Sequence, residues 1–272
     1  MKKTFILLLL VFPAVIFMEA CHPSKATQDS TSIAGTKAIQ LFNGTDLSGW
    51  YKFIQHRGRD QDVKNVFTVH DGMIHVSGEE YGSIISNEEY NNYRLVLEYK
   101  WGTRTFEPRL ENARDNGLLI HSTGEDGGYE GIWMHSIESQ IIEGGTGDLL
   151  VVGDGTNKFS LSTYVSPKEQ GGSYLFDPKG QPVTINGGRI NWFGRDPDWK
   201  DVKGFRGKND IEKPIGEWNT MECIADGNKV TVMLNGILVN QAFDVVPSRG
   251  RIQLQSEGAE MFFRKVELQP LK

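Results

Sequence analysis

Cysteine is scarce: the chain has two in 272 residues. Cys21 directly follows an apolar N-terminal run, so Cys223 stands alone in the body of the chain, and one cysteine cannot close an intramolecular disulfide. Cys223 lies in an alternating apolar pattern and reads as a small core residue, not a catalytic thiol. Positive charge is also in deficit. The formal net charge of −6 argues against nucleic acid as a partner, since that function calls for a basic footprint. No helical apolar period is sustained anywhere, and no internal repeat of roughly 20–50 residues is visible. Helical and repeat architectures are therefore disfavoured.

Long apolar runs are absent except at the N-terminus. Residues 5–17 are apolar but short for a membrane span; Lys2 and Lys3 precede them and Met18-Glu19-Ala20-Cys21 follows. A small residue before a cysteine after such a run resembles a bacterial lipoprotein cleavage box. On this reading residues 1–20 are a signal peptide and Cys21 is the lipidated first residue of the mature chain. The alternative is an ordinary secretory signal; either way the protein leaves the cytoplasm. Residues 22–36 are rich in Ser and Thr and read as a flexible tether. Residues 37–272 are expected to form a single domain, long enough for a full core. No acidic run follows Cys21, so a lipid-anchored protein of the cell envelope facing the periplasm is expected, touching the membrane only through its lipid.

What is present is strand and turn. Residues 67–76 read as a hairpin around Asp71-Gly72, and residues 221–239 as a meander turning at Asp226-Gly227 and Asn235-Gly236. Further strands are expected over residues 93–101, 117–122, 132–142, 251–255 and 261–268. Many short antiparallel strands predict an all-β sandwich of two sheets. Two segments, the charged 102–115 and the Gly- and aromatic-rich 186–210, read as long loops, which are often functional.

The most informative stretch is residues 137–147, Ile-Glu-Ser-Gln-Ile-Ile-Glu-Gly-Gly-Thr-Gly. Side chains two apart share a strand face, so Glu138 and Gln140 point one way while Ile137, Ser139 and Ile141 point the other. Glu143 joins the first pair only if a β-bulge inserts a residue. Two carboxyls and an amide on one face suit work on a sugar ring. The glycines that follow are no phosphate loop, because no Lys-Ser/Thr follows and no helix opens behind them.

Several motifs resemble the bacterial 3-keto-disaccharide hydrolase domain family, long a domain of unknown function in the concanavalin A-like lectin/glucanase superfamily. They are Phe42-Asn43-Gly44-Thr45-Asp46-Leu47-Ser48-Gly49-Trp50, Asp115-Asn116-Gly117-Leu118-Leu119, Glu138-Ser139-Gln140-Ile141, Thr146-Gly147, Gly216-Glu217-Trp218-Asn219, Asn235-Gly236 and residues 250–255. The closing Phe263-Arg264-Lys265-Val266 matches the last strand, with Lys265 where Asn is usual. The resemblance covers about residues 40–268. It implies a concanavalin-like jelly-roll sandwich of two antiparallel sheets, and cleavage of glycosides already oxidised at C3. A C3 carbonyl acidifies the C2 proton; a base removes it, and the C1–oxygen bond breaks by β-elimination, with or without later addition of water. The site must supply a base, a donor for the enolate oxygen and an acid for the leaving group.

Glu138 is the first candidate for base or acid, with Glu143 as partner. His121 and His135 are candidate electrophiles or proton shuttles, although alternation puts His135 on the opposite face unless a bulge intervenes. Gln140, Asn116, Gln255 and Arg264 are candidates for binding substrate, with Glu257 able to line the same cleft as Gln255 and Arg264, and Arg264 alternatively making a surface ion pair. Trp192 and Trp199 either stack on sugar or cap the core. His121, His135, Glu138 and Glu143 together allow a divalent cation, although their spacing matches no recognised ligand pattern. A glycoside or oligosaccharide is the expected partner. Two rival readings stand: a non-catalytic, lectin-like carbohydrate-binding protein, and an ordinary retaining glucanase. The latter resembles this chain in having Glu-x-Asp-x-x-Glu on one strand, with its carboxyls roughly 5–5.5 Å apart. Gln140 stands in the place of that Asp.

Overall fold

Glycine turns set the strand order. Asp71-Gly72 joins Phe67–His70 to Met73–Val76 with φ of 51° and 72°, and Asn235-Gly236 joins Lys229–Leu234 to Ile237–Val246 with φ of 50° and 82°. Two successive positive φ values are what a two-residue type I′ hairpin requires. The computed structural model describes residues 37–170 and 172–272. The expected signal peptide, the lipidation candidate Cys21 and the expected tether lie outside the described residues.

Two sheets result, and among the described residues there is no helix. One sheet runs Phe67–His70, Met73–Val76, Ala259–Pro270, Tyr93–Thr105, Asn219–Asp226, Lys229–Leu234, Ile237–Val246. The other runs Trp50–Ile54, Gly82–Ser86, Arg251–Ser256, Asp115–Thr123, His135–Ile142, Leu149–Val152, Gly188–Asn191, Ser173–Phe176, Ser160–Gln170. All these pairs are antiparallel except Ser173–Phe176 with Gly188–Asn191. Ile237–Val246 also pairs with Ser160–Gln170, stitching the sheets together along one side. This is the jelly-roll sandwich expected of the sequence.

Leu95, Leu97, Tyr99, Met221 and Phe263 from one sheet, with Leu118, Ile120, Ile137, Ile141 and Leu254 from the other, are fully buried in one core. Each contributes roughly 1.5–3 kcal/mol through the apolar area it removes from water. Cys223 belongs to this core, and burial pushes its thiol up to about 12. The two expected loops are shorter than their sequence suggests. Strand Tyr93–Thr105 runs into the first, and Gly188–Asn191 forms a strand within the second.

Candidate functional site

Alternation along His135–Ile142 sends Ile137, Ser139 and Ile141 into the core and leaves Glu138 and Gln140 on the face turned away from it. Register then decides their neighbours. Glu138 lies between Leu119 and Leu150, Gln140 beside Gly117, and Gln253 beside Leu119, which brings Gln255 level with Gly117. Gly117 is the hinge of this arrangement. A Cβ there would stand 2.2 Å from Gln255 Oε1 and 2.3 Å from Glu138 Oε1. Only a residue without a side chain lets both groups lie across the strand between them. Both oxygens are buried and have no hydrogen-bond partner among the described residues. The residues Glu138 and Gln255 line a cavity of about 210 Å³ with Asp115, Gln140, Arg189 and Glu257. Tyr129 and Trp133, from the segment after Asp115–Thr123, wall the cavity.

Its electrostatics favour protonated carboxyls. Burial, reinforced by the nearby Asp115 carboxylate, raises Glu138 to about 8, against the attraction of Arg189. Burial likewise raises Asp115 to about 6, although Arg109 stands 3.1 Å away. Glu257 is pushed well above the ordinary carboxyl range by burial, then by Asp115 and Glu138. Asp115 Oδ1 accepts from Gln140 Nε2 in a short hydrogen bond, and Arg189 Nη2 donates to Gln140 Oε1 at 3.4 Å. Gln140 is thereby held in place between a cation and a carboxyl. One carboxyl with a free oxygen beside another that keeps its proton is the arrangement acid–base chemistry needs.

Several candidates lie elsewhere. A bulge before Glu143 does not form: the strand ends at Ile142, and its residues 140–142 pair in unbroken register with Gly117, Asn116 and Asp115. Glu143 instead accepts from Arg114 Nη1 at 2.7 Å, Arg114 N at 3.0 Å and Gly204 N at 2.7 Å. It is not among the residues lining the Glu138 cavity. The register shift occurs between Ile120 and Thr123, where His121 takes φ of 53°. His121 is fully buried, edge-on to Tyr93, with Nδ1 2.9 Å from Pro247 O. Burial lowers it to about 4. His135 sits on the core side of its strand, its ring 4.8 Å from that of Phe159. The four candidate cation ligands therefore do not converge, and no group of three or more His, Cys, Asp or Glu among the described residues is placed to hold a metal ion.

Asn116 shares the core-side face with Ile141, its Oδ1 accepting from Gly117 N at 2.9 Å. Trp192 is a core residue, 2% exposed, and does not offer a stacking face. Trp199 is half-buried; it donates to Glu143 O at 2.9 Å and lines a neighbouring cavity. Arg264 is exposed on the other sheet, paired with Glu98 at 2.5 Å and lying over Trp218. Of the sequence candidates, Glu138, Gln140, Gln255 and Glu257 meet. Asp115, Arg109 and Arg189 join them unforeseen. The sequence did carry one signal for these three: all lie in the two charged segments that break the strand rhythm.

Among solved structures, the fold is similar to a proposed glycosyl hydrolase from Parabacteroides distasonis ATCC 8503 (19% identity, 87% of this chain and 100% of that one, TM-score 0.49). A carbohydrate-binding module, CBM66 from Bacillus subtilis, is similar at 11% identity (81% and 96%, TM-score 0.46). The Bacillus licheniformis β-glucanase is similar at 12% identity (88% and 99%, TM-score 0.44). Likenesses this distant say nothing of activity. No curated protein matches the sequence. The family described as the 3-keto-alpha-glucoside-1,2-lyase-like domain matches residues 37–269. The chain belongs to that family, and with it to the carbohydrate-active proteins.

Proposed function

We propose that the protein cleaves glycosides carrying a ketone at C3, by removing the C2 proton and expelling the C1 substituent. The carrying observation is the Glu138 carboxyl, buried at a sugar-sized cavity with an oxygen that nothing among the described residues satisfies. A group so placed pays a desolvation cost that a reacting ligand can offset. The Glu138 carboxylate takes the C2 proton; the electron pair moves into a C2–C3 enolate, then forms the C1–C2 double bond as the C1–O bond breaks. A carboxylate that holds its proton up to about 8 is a stronger base than an ordinary one. Glu257, kept protonated by burial and its neighbours, gives its proton to the leaving oxygen. Arg189 and the amide of Gln255 are donors for the enolate oxygen. Addition of water at C1 afterwards makes the net reaction a hydrolysis.

A retaining pair made of Glu138 and Glu143 lacks support: Glu143 is engaged by Arg114 and Gly204 and does not line the Glu138 cavity. The test is incubation with 3-keto glycosides and their parent glycosides in deuterated water, with and without chelator. Cleavage confined to the 3-keto form, with exchange or loss of the C2 hydrogen, is expected. Cleavage of the parent sugar with C2 untouched would refute the reading.

A further inference from the structure

Arg189 has two faces. One lines the Glu138 cavity; the other lines a second cavity of about 260 Å³, with Asn191, Arg195, Asp196 and Trp199. In this second space two cations converge on one anion. Arg189 Nη1 and Arg195 Nη1 both donate to Asp148 Oδ2, at 3.1 and 2.6 Å. Asp148 is fully buried, its other oxygen accepts from Trp192 N at 2.8 Å, and it does not line the cavity. Asp196, the cavity's own carboxylate, accepts from the N–H groups of Asp198 and Lys208, both at 2.9 Å.

Arg195 is held in place for a purpose its contacts do not exhaust. It is 7% exposed, lies 4.0 Å over the Trp199 ring, and donates to no acceptor other than Asp148 among the described residues. Its remaining N–H groups are not buried, and the cavity is the space they open onto. Gly145 makes room for it: a Cβ there would stand 1.8 Å from Arg195 Nη1. The glycine cluster after Glu143 thus lets a guanidinium pack against bare backbone. Asp148 and Asp196 balance the charge of Arg189 and Arg195, and what stays unmet is the set of planar donors that Arg195 turns to the cavity, which is what a bound oxyanion satisfies.

We propose that this second cavity is an oxyanion subsite. It takes a carboxylate or sulfate carried on the part of the glycoside that extends past the Glu138 cavity, with Arg195 gripping the anion and Arg189 joining the two spaces. The placement on a glycoside rests on the function proposed above. The preference for an oxyanion rests on Arg189, Arg195 and Asp148 alone.

The test is calorimetric titration of the purified protein with cellobiose, cellobiouronic acid, a sulfated cellobiose and inorganic sulfate. At least one acidic disaccharide should bind about tenfold or more tightly than cellobiose, the value of one charge-assisted hydrogen bond. Which of the two gains more tells carboxylate from sulfate. Arg195→Gln should abolish the advantage and Arg195→Lys keep part of it. If the Arg195 variants do not fold, the more exposed Arg189→Gln serves in their place. Equal affinities, no measurable binding, sulfate binding without an acidic-sugar advantage, or an advantage that survives in folded Arg195→Gln would each overturn the proposal. Because binding is read without turnover, the advantage without 3-keto cleavage keeps the subsite and removes the reaction. Cleavage without the advantage does the reverse.

Discussion

Glu138 and Glu143 lie at the middle and just beyond the end of one strand, both at most 5% exposed, yet they have opposite surroundings. Glu143 receives a guanidinium and two backbone N–H groups, so every donor it needs comes from the protein. Glu138 has an oxygen with none, lies among other carboxyls, and is raised to about 8. A buried carboxylate that is fully satisfied holds a fold together; one left short is costly unless a ligand completes it. Burial alone does not mark a reactive group; an unmet hydrogen bond on a carboxyl that lines a cavity does.

The largest contrast is expected in catalysis. Glu138→Gln keeps the side-chain volume and removes the base, so kcat on a 3-keto glycoside should fall by about 10²–10⁴, with the melting temperature not lowered. A rate within a few-fold of the parent would return Glu138 to a structural role. At the other carboxyl the loss should be in stability. Arg114→Ala strips Glu143 of its cation and should cost about 3–5 kcal/mol in urea unfolding; a cost under about 1 kcal/mol, the range of exposed pairs, would make the two glutamates alike. Gly117→Ala tests the space between Glu138 and Gln255. Its Cβ must displace both groups, so about 1–3 kcal/mol of stability and much of the turnover should be lost together. Turnover at the parent level would show that the positions of the two side chains are immaterial.

Stability against pH sharpens the same contrast. Below the ordinary value of 4.5, folded and unfolded chains both keep the Glu138 proton. Between 4.5 and about 8 only the folded chain keeps it. The unfolded state therefore binds fewer protons there, and stability falls as pH rises, by at most about 1.4 kcal/mol per pH unit. Above about 8 this contribution is constant. Glu138→Gln has no such proton to hold, so its stability relative to the parent should climb through that window and level off above it. Parallel stability curves for the two proteins would contradict the raised Glu138 carboxyl.

The sequence was legible where local chemistry decides. Asp71-Gly72 and Asn235-Gly236 turn where expected, and alternation puts Glu138 and Gln140 together on the face away from Ile137 and Ile141. It was illegible where distant strands meet. Nothing local distinguishes Glu143, whose partners come from residues 114 and 204. Arg189 reaches Gln140 across two strand pairings that no short-range pattern encodes. His121 misled because the irregularity that turns it inward sits in its own strand, after Ile120, and not beside Glu143. Trp192 resembled an exposed loop aromatic until the strand before it, Gly188–Asn191, fixed it against the core.

The most direct test of Glu138 as base is the pH dependence of kcat/KM on a 3-keto glycoside, for the parent protein and Glu138→Gln. The parent rate should rise with pH through a midpoint near 8, where this carboxyl is half ionised, and level off above it, and the rising limb should be missing from the residual rate of the variant. A limb that persists unchanged in Glu138→Gln, or a parent rate that is flat across roughly pH 6–9, would contradict it.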